Sequence, residues 1–262
     1  MSPGWRNMSE PLVEVEHLAK SFRLPAGGER TIRQSALGLL RSIPDEELLV
    51  LRDVSFSVRK GEAVGVMGRN GSGKSTLLRA VCGIYRPDQG RVVVRTGLTP
   101  VLELGIGWSP ELDAVDNVLL LGTVMGLPLR EVKAAVPEIL EFAGLVRFAR
   151  LPLKHYSSGM AARLAYSVAF ASVQGVLVLD EIFAVGDAEF RARCEKRYAA
   201  LRADGQTVLL VSHDPRTILD SCDRALLLEQ GTIVLDGAPQ RVVDAYLTLL
   251  AGGTAAREGA MP

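Results

Sequence analysis

A glycine-rich run in the first third of the sequence has the residue types most able to do chemistry. The pattern GxxxxGK[ST] is matched by Gly68–Arg69–Asn70–Gly71–Ser72–Gly73–Lys74–Ser75, with Thr76 next. Glycines let the backbone curl so that successive N–H groups point at phosphate oxygens. Lys74 would place a positive charge on the terminal phosphates, and the Ser75 hydroxyl can ligate Mg²⁺. The pattern predicts an NTPase and no more, and a purely structural glycine turn is the alternative.

Two adjacent carboxylates, Asp180 and Glu181, end an apolar run at 176–179. A carboxylate at the end of a core strand can hold Mg²⁺ directly or through water, and we assign this role to Asp180. Glu181 is then placed to orient or deprotonate the attacking water. Paired acids in this position can also cap a helix, so the interpretation depends on the glycine-rich run upstream.

A histidine, His213, follows another apolar run, Val208–Val211. A lone histidine is more often a structural hydrogen bonder than a catalyst. Here it lies beyond a predicted core strand, at the end of an α/β sheet where ligands bind, which favours a catalytic role. His17 and His155 have no such context, and we expect structural roles for both.

A second candidate anion site is the turn Ser157–Ser158–Gly159–Met160, which opens a predicted helix over 158–171. The free N–H groups and the dipole of a helix N-terminus favour a negative ligand. One domain needs only one cradle for a triphosphate. We therefore expect the serine-glycine turn to contact a nucleotide that is bound by another copy of the chain.

The elements that must position these residues alternate along the chain, which predicts an α/β layered domain. Strands are predicted at 12–16, 51–58, 63–67, 91–95, 176–179, 208–211, 225–229 and 232–236, and helices at 130–142, 158–171, 188–201 and 239–250. A disordered tail is predicted for 249–262. Residues 23–50 are expected to form a surface insertion with a helix, either a plain connector or a contact with a membrane or partner.

Composition narrows the classes of function. Thirty basic residues balance thirty acidic ones, which argues against nucleic acid as the main partner. Three cysteines without CxxC spacing make a disulfide framework or a zinc site improbable. The first residues lack the apolar core of a signal peptide, and the longest uncharged run, 164–179, is too short to span a bilayer. If the protein drives transport, we expect the channel to be another chain.

Taken in order, these motifs resemble those of the ABC ATPase family over residues 12–248. Gly68–Thr76 resembles its Walker A motif, Ser157–Met160 its signature, Val176–Glu181 its Walker B motif with the catalytic Glu, Ala184–Asp187 its D-loop and His213 its switch histidine. Phe22 stands where the family has an aromatic that stacks on adenine, a plain core Phe being the alternative. The resemblance implies a P-loop NTPase fold with a RecA-like core, an antiparallel β subdomain and a helical subdomain at about 108–172. It also implies ATP and Mg²⁺ as cofactors, with Asp187 at the nucleotide.

A narrower resemblance is to the ATPases of polysaccharide export, which serve capsule, O-antigen and teichoic acid systems. It is carried by Leu102–Gly107, Pro110–Leu112, Tyr156–Met160 and Ala184–Phe190. It implies a head-to-tail homodimer under an integral membrane permease, at the cytoplasmic face of a bacterial inner membrane, moving a lipid-linked glycan. The chain stops too soon after Leu250 for us to expect the carbohydrate-binding domain that some O-antigen subunits add.

One departure concerns the metal. Most ABC ATPases have a Gln that helps to bind Mg²⁺, but no Gln occurs between Gln89 and Gln174, and Glu103 is the nearest candidate.

Three other classes of protein remain as alternatives. An ABC ATPase of a lipid or drug exporter shares the main motifs. One that acts on DNA or the ribosome would usually have two nucleotide domains or coiled coils. A P-loop kinase or GTPase would leave the serine-glycine turn and His213 unexplained.

Overall fold

The computed structural model describes residues 10–24, 46–102, 107–180 and 187–258. The strands are β1 Val13–Leu24, β2 Glu46–Val58, β3 Ala63–Met67, β4 Gln89–Val94, β5 Leu98–Val101, β6 Val176–Asp180, β7 Thr207–Val211, β8 Arg224–Glu229 and β9 Thr232–Gly237. They form one mixed sheet in the order β4-β1-β2-β9-β8-β3-β7-β6-β5. Together with the helices below, this confirms the predicted α/β fold class.

The centre of the sheet is parallel, and its strands end at one edge. β3 and β7 are buried at every residue, as their continuous apolar sequences predict. Val66 of β3 pairs with Val211 of β7, and Asp180 of β6 pairs with the same Val211. The carboxyl ends of β3, β6 and β7 therefore lie side by side.

The other side of the sheet is antiparallel, with β1 between β2 and β4. Both long strands are longer than predicted, because β1 reaches Leu24 and β2 begins at Glu46. The prediction of a surface insertion over 23–50 was wrong at both ends of that range. These ends belong to β1 and β2, where Phe22 pairs with Leu48 and Arg23 with Glu47. Cross-strand hydrogen bonding stabilises these ends in extended form, whatever their polar composition. Residues 25–45, which include the predicted helix, lie outside the described residues.

Seven α-helices cover the sheet in the described residues: α1 Lys74–Val81, α2 Ala114–Val124, α3 Leu129–Ala143, α4 Ser158–Ala171, α5 Ala188–Ala203, α6 Pro215–Ser221 and α7 Pro239–Glu258. α2, α3 and α4 share a separate apolar cluster that includes Val118, Ile139 and Leu164. This cluster matches the helical subdomain that the resemblance implies. The sequence did not predict α2, α6 or β5. β5 contains Pro100, which a strand tolerates at an edge because its missing N–H then faces no partner.

The C-terminal helix α7 continues through Glu258, past the predicted end at Leu250. This corrects the prediction of a disordered tail for residues 249–258. An existing helix extends at low cost because each added residue fixes only its own backbone, and Ala255 and Ala256 are strong helix formers. In the described part of the chain, no helix combines the length and apolar content needed to cross a membrane.

A carboxylate, Asp88, joins the start of β4 to the middle of β1. It accepts hydrogen bonds from Lys20 Nζ at 2.7 Å, from Ser21 N at 2.6 Å and from Ser21 Oγ at 2.9 Å. The bonds from Lys20 and Ser21 lower the pKa of Asp88 from 3.8 to about 2. The charged carboxylate therefore stabilises the strand that contains Phe22.

We expect Asp88→Asn to reduce the free energy of unfolding at pH 7 by roughly 1 kcal/mol, a modest value because the carboxylate is partly exposed. A lowered folded-state pKa contributes stability above the unfolded pKa and loses it as pH falls through the folded pKa. The difference between wild type and variant should thus be constant above about pH 5 and shrink between about pH 4 and pH 2. Urea unfolding across this range measures it, and a difference that does not change with pH would contradict this role of Asp88.

Candidate functional site

The glycine-rich run forms a tight loop between β3 and α1. Gly71 and Gly73 have φ of +81° and +106°, in the left-handed region that favours glycine. A Cβ on Gly73 would also lie 2.8 Å from Leu51 Cδ2. Gly73 is the N-cap of α1, which has no side-chain cap and no acidic residue in its first turn. The N–H groups at this helix start are thus available to an anion.

The lysine of the loop, Lys74, is folded back over it. Its Nζ donates to Gly68 O at 2.8 Å and to Arg69 O at 3.0 Å. Only 8% of Lys74 is exposed, so its charge lies where water screens it little. The contacts hold the ammonium over the mouth of the loop, which suits a point charge for phosphate.

A cavity of about 630 Å³ lies between the loop and the end of β6. It is lined by Leu48, Val50, Asn70, Gly71, Gly73, Lys74, Ser75, Thr76, Leu102 and Asp180. Ser75 and Asp180 bring a hydroxyl and a carboxylate to this one space, and oxygen ligands of this kind are what Mg²⁺ prefers. The residues present therefore fit a magnesium ion between loop and strand.

The predicted switch residue, His213, lies at the same edge of the sheet. It is exposed, two residues beyond Val211, and the adjacent Ser212 N donates to Val66 O at 3.2 Å. His213 is not among the described residues that line the cavity. The topology thus places it next to the strand ends of Asp180 and the loop, as predicted, and a catalytic role stays a prediction.

The aromatic candidate, Phe22, packs its ring edge-on against Tyr85, with centroids 5.2 Å apart. Lys20 Nζ lies 5.5 Å from the Phe22 centroid. Phe22 pairs across the sheet with Leu48, which lines the cavity, although Phe22 itself does not. The ring is near the nucleotide site, and stacking on a base stays a prediction.

The serine-glycine turn begins α4 as predicted. Ser157 is the N-cap, and its Oγ accepts a hydrogen bond from Met160 N at 3.2 Å. Ser157 and Ser158 are exposed, and α4 has no acidic residue in its first turn. None of Ser157, Ser158, Gly159 or Met160 lines the cavity of the glycine-rich loop. Within one chain the turn and the loop are thus separate sites, and anion binding at the turn stays a prediction.

The D-loop aspartate, Asp187, is the N-cap of α5, where its Oδ1 accepts from Phe190 N at 2.8 Å. Its Oδ2 lies 3.6 Å from Arg163 Nη1 on α4. These contacts tie the start of α5 to the helix that follows the serine-glycine turn. Of the other predicted site residues, Glu181, Glu103 and 184–186 lie outside the described residues.

Three apolar residues of the cavity, Leu48, Val50 and Leu102, were not predicted as site residues. Leu48 and Leu49 are both about half exposed, unusual for large apolar side chains in a strand. The apolar run Leu48–Leu51, which leads into the predicted strand at 51–58, could have indicated a longer strand. Nothing in the sequence alone indicated which of these side chains faces the cavity.

Comparisons with known proteins agree with this geometry. A family model described as "ABC transporter" matches residues 51–184, just over half of the chain. The chain belongs to the ABC transporter family. It is 40% identical to the ABC transporter protein AbcA of Aeromonas salmonicida over 245 residues, 93% of this chain and 78% of that one. It is 34% identical to the O-antigen export system ATP-binding protein RfbB of Klebsiella pneumoniae over 245 residues, 92% of this chain and 100% of that one.

The fold of this ABC ATPase also matches solved structures. One is an ATP-binding cassette solved as a dimer in a post-hydrolysis state with ADP and phosphate, with a TM-score of 0.68 and 23% identity over 87% of this chain and 98% of that one. At 23% identity, the similarity to this structure is evidence for the fold alone. The predicted ABC ATPase fold and family are therefore confirmed, and the chain binds and hydrolyses ATP.

Proposed function

We propose that this chain is the ATP-hydrolysing subunit of an exporter that moves a lipid-linked polysaccharide of the O-antigen, capsule or teichoic acid type across a bacterial inner membrane. The observation that carries the proposal is the match to the O-antigen export protein over that protein's whole length. The sequence of this chain also has the features typical of that group at Leu102–Gly107, which lies outside the general ATPase motifs, and at Tyr156–Met160, which includes the signature turn.

The proposed working unit is a head-to-tail homodimer. Each ATP lies between the loop Gly68–Thr76 of one copy and the turn Ser157–Met160 of the other. Two observations support it. Neither helix start has an acidic residue in its first turn, and the turn does not line the loop's cavity within one chain. A γ-phosphate that contacts both copies would hold them together, and its loss on hydrolysis would release them.

Within this site each residue has a proposed role. Ser75 and Asp180 would hold Mg²⁺, with Glu103 as a further ligand, and the ion would neutralise charge on the phosphates. Glu181 would accept the proton of the attacking water. His213 would contact the γ-phosphate, and Phe22 would pack against adenine. Asp187, through Arg163, would keep the serine-glycine turn aligned with the start of α5.

The proposed partner is an integral membrane permease, which would hold the chain at the cytoplasmic face of the inner membrane. The alternative is an ABC ATPase of another exporter branch, for lipids or drugs, and a non-transport ABC ATPase is less favoured. The balanced charge of thirty basic and thirty acidic residues supports a partner other than nucleic acid.

The test is purification of the tagged chain from native membranes in mild detergent, with Glu181→Gln as the inactive control. We expect a permease to co-purify, and the ATPase rate of the complex in lipid vesicles to rise several-fold with lipid-linked polysaccharide. Stimulation by a small lipid or drug instead would support the alternative branch. Stimulation by DNA without any permease would contradict the proposal.

A further inference from the structure

The outer side of the phosphate loop rests on the hairpin turn between β8 and β9. Gly231 N donates to Ser72 O at 3.1 Å, and Gly231 O accepts from Arg52 N at 2.9 Å. A Cβ on Gly68 would lie 2.2 Å from Leu228 O, so the end of β8 and the start of the loop are in close contact. A shift of this hairpin would thus move the loop backbone.

The turn itself is rigid. Gln230 and Gly231 have φ of +46° and +80°, the two-residue pattern of a tight β-hairpin. Thr232 Oγ1 also donates to Glu229 O at 3.0 Å across the turn. The carboxylate of Glu229 is therefore presented to the loop from a fixed backbone.

A second cavity, of about 190 Å³, lies between turn and loop. It is lined by Arg69, Asn70, Gly71, Ser72, Glu229 and Gln230. Ser72 is only 4% exposed, and its Oγ has no hydrogen-bond partner among the described residues. The same holds for Glu229 Oε2, which is buried. A buried polar atom left unsatisfied costs roughly 1–3 kcal/mol, so both atoms call for a partner.

The two atoms are complementary. A hydroxyl donates one hydrogen bond and accepts others, whereas an ionised carboxylate only accepts. A water molecule occupies about 30 Å³ in the liquid and needs two or more polar partners when buried. The cavity is larger than this volume, and Ser72 and Glu229 both line it. The charges of Arg69 and Glu229 also reach Tyr246 on α7. Burial raises the pKa of Tyr246, Arg69 lowers it and Glu229 raises it.

We propose that Glu229 is a positioning residue for the phosphate loop, acting through water held between its carboxylate and the Ser72 hydroxyl. The water-filled contact fixes the loop backbone at Arg69–Ser72, next to Asn70 and Gly71, which also line the nucleotide cavity. The carbonyl oxygen of Arg69 is one of the two that hold Lys74, so the contact also sets where the ammonium lies. Glu229 thereby tunes ATP affinity without touching ATP. This inference rests on the nucleotide site proposed above.

The test is a double-mutant cycle of Glu229→Ala and Ser72→Ala. We expect each single change to raise the Kd and KM for ATP by about 3- to 10-fold, which corresponds to the loss of one hydrogen bond. For Glu229→Ala, which lies outside the loop, kcat should change less than about 2-fold. The double variant should be no weaker than the weaker single one, because both remove the same contact. Glu229→Gln should recover part of the affinity, since its amide oxygen still accepts a hydrogen bond.

The matched control is Asp236→Asn, on β9 of the same hairpin, whose carboxylate lies 3.3 Å from Arg224. It should bind ATP like the wild type. Wild-type affinity in Glu229→Ala, or full additivity in the double variant, would overturn the inference. A purely structural role would instead lower the melting temperature without nucleotide in proportion to the lost affinity, and that result would also overturn it. If the wild type and the control bind no ATP, the nucleotide site itself is misassigned.

Discussion

Glu181→Gln is expected to lower kcat for ATP hydrolysis by at least about 10²-fold, the usual contribution of a general base. The amide has the size of the carboxylate but cannot take a proton from water. ATP binding should change little, because the loop residues and Lys74 are untouched. Bound ATP would then stay between two copies, so the variant should accumulate as an ATP-dependent dimer. Light scattering with and without ATP, alongside single-turnover kinetics, measures both effects.

A matched control is Glu195→Gln, which removes an exposed carboxylate on α5. It should hydrolyse ATP at the wild-type rate and form no lasting dimer. Hydrolysis at the wild-type rate by Glu181→Gln would mean that another residue is the base. A variant that loses turnover but stays monomeric with ATP would contradict the proposed role of ATP as the bridge between copies.

The sequence predicted those strands and helices whose local sequence pattern matches their environment in the fold. β3 and β7 read as continuous apolar runs because both faces of a central parallel strand are covered. The helix at Ser158–Ala171 was predicted to the residue, since a capping serine precedes a long run of helix formers. The predicted strands 225–229 and 232–236 leave two residues, Gln230 and Gly231, for the turn between them, and glycine readily adopts the positive φ found there.

Elements that depend on distant partners were missed or wrong in extent. β5 has a proline in a four-residue strand and exists because β6 pairs with it. The far ends of β1 and β2 mix charged and apolar residues without a strand pattern, and their pairing with each other makes them strands. α2 is apolar along most of its length, so its sequence shows no clear division into a buried and an exposed face. The buried face is defined by the packing of α3 and α4 against it. Such features follow from contacts that local patterns do not encode.

For the site, spacing identified the phosphate loop, and topology brought Asp180 to it. Spacing could not show the apolar wall of Leu48 and Val50, because that depended on the length of β2. It also could not show the cavity behind Ser72, since Glu229 is about 160 residues away in sequence. Within one chain the serine-glycine turn does not line the cavity of the loop. The dimer proposal requires this separation, because it assigns the turn to the nucleotide of the other copy.

A mixing experiment with two inactive variants tests that proposal most directly. Lys74→Ala removes the buried ammonium from the loop and should abolish tight ATP binding. Gly159→Asp places a negative charge at the start of α4, where the nearest heavy atom to the new Cβ is Ser157 Oγ at 3.9 Å. The helix tolerates an acid there, but a triphosphate held against it would be repelled.

Each variant alone should have almost no ATPase activity. In a mixed head-to-tail dimer, one site combines both defects and the other combines an intact loop with an intact turn. Mixing equal amounts should therefore restore up to about a quarter of the wild-type rate, because random pairing makes half of the dimers mixed. Calorimetry with each variant alone checks that both are folded. If the mixture stays as inactive as its components, each chain completes its own site and the dimer account is wrong.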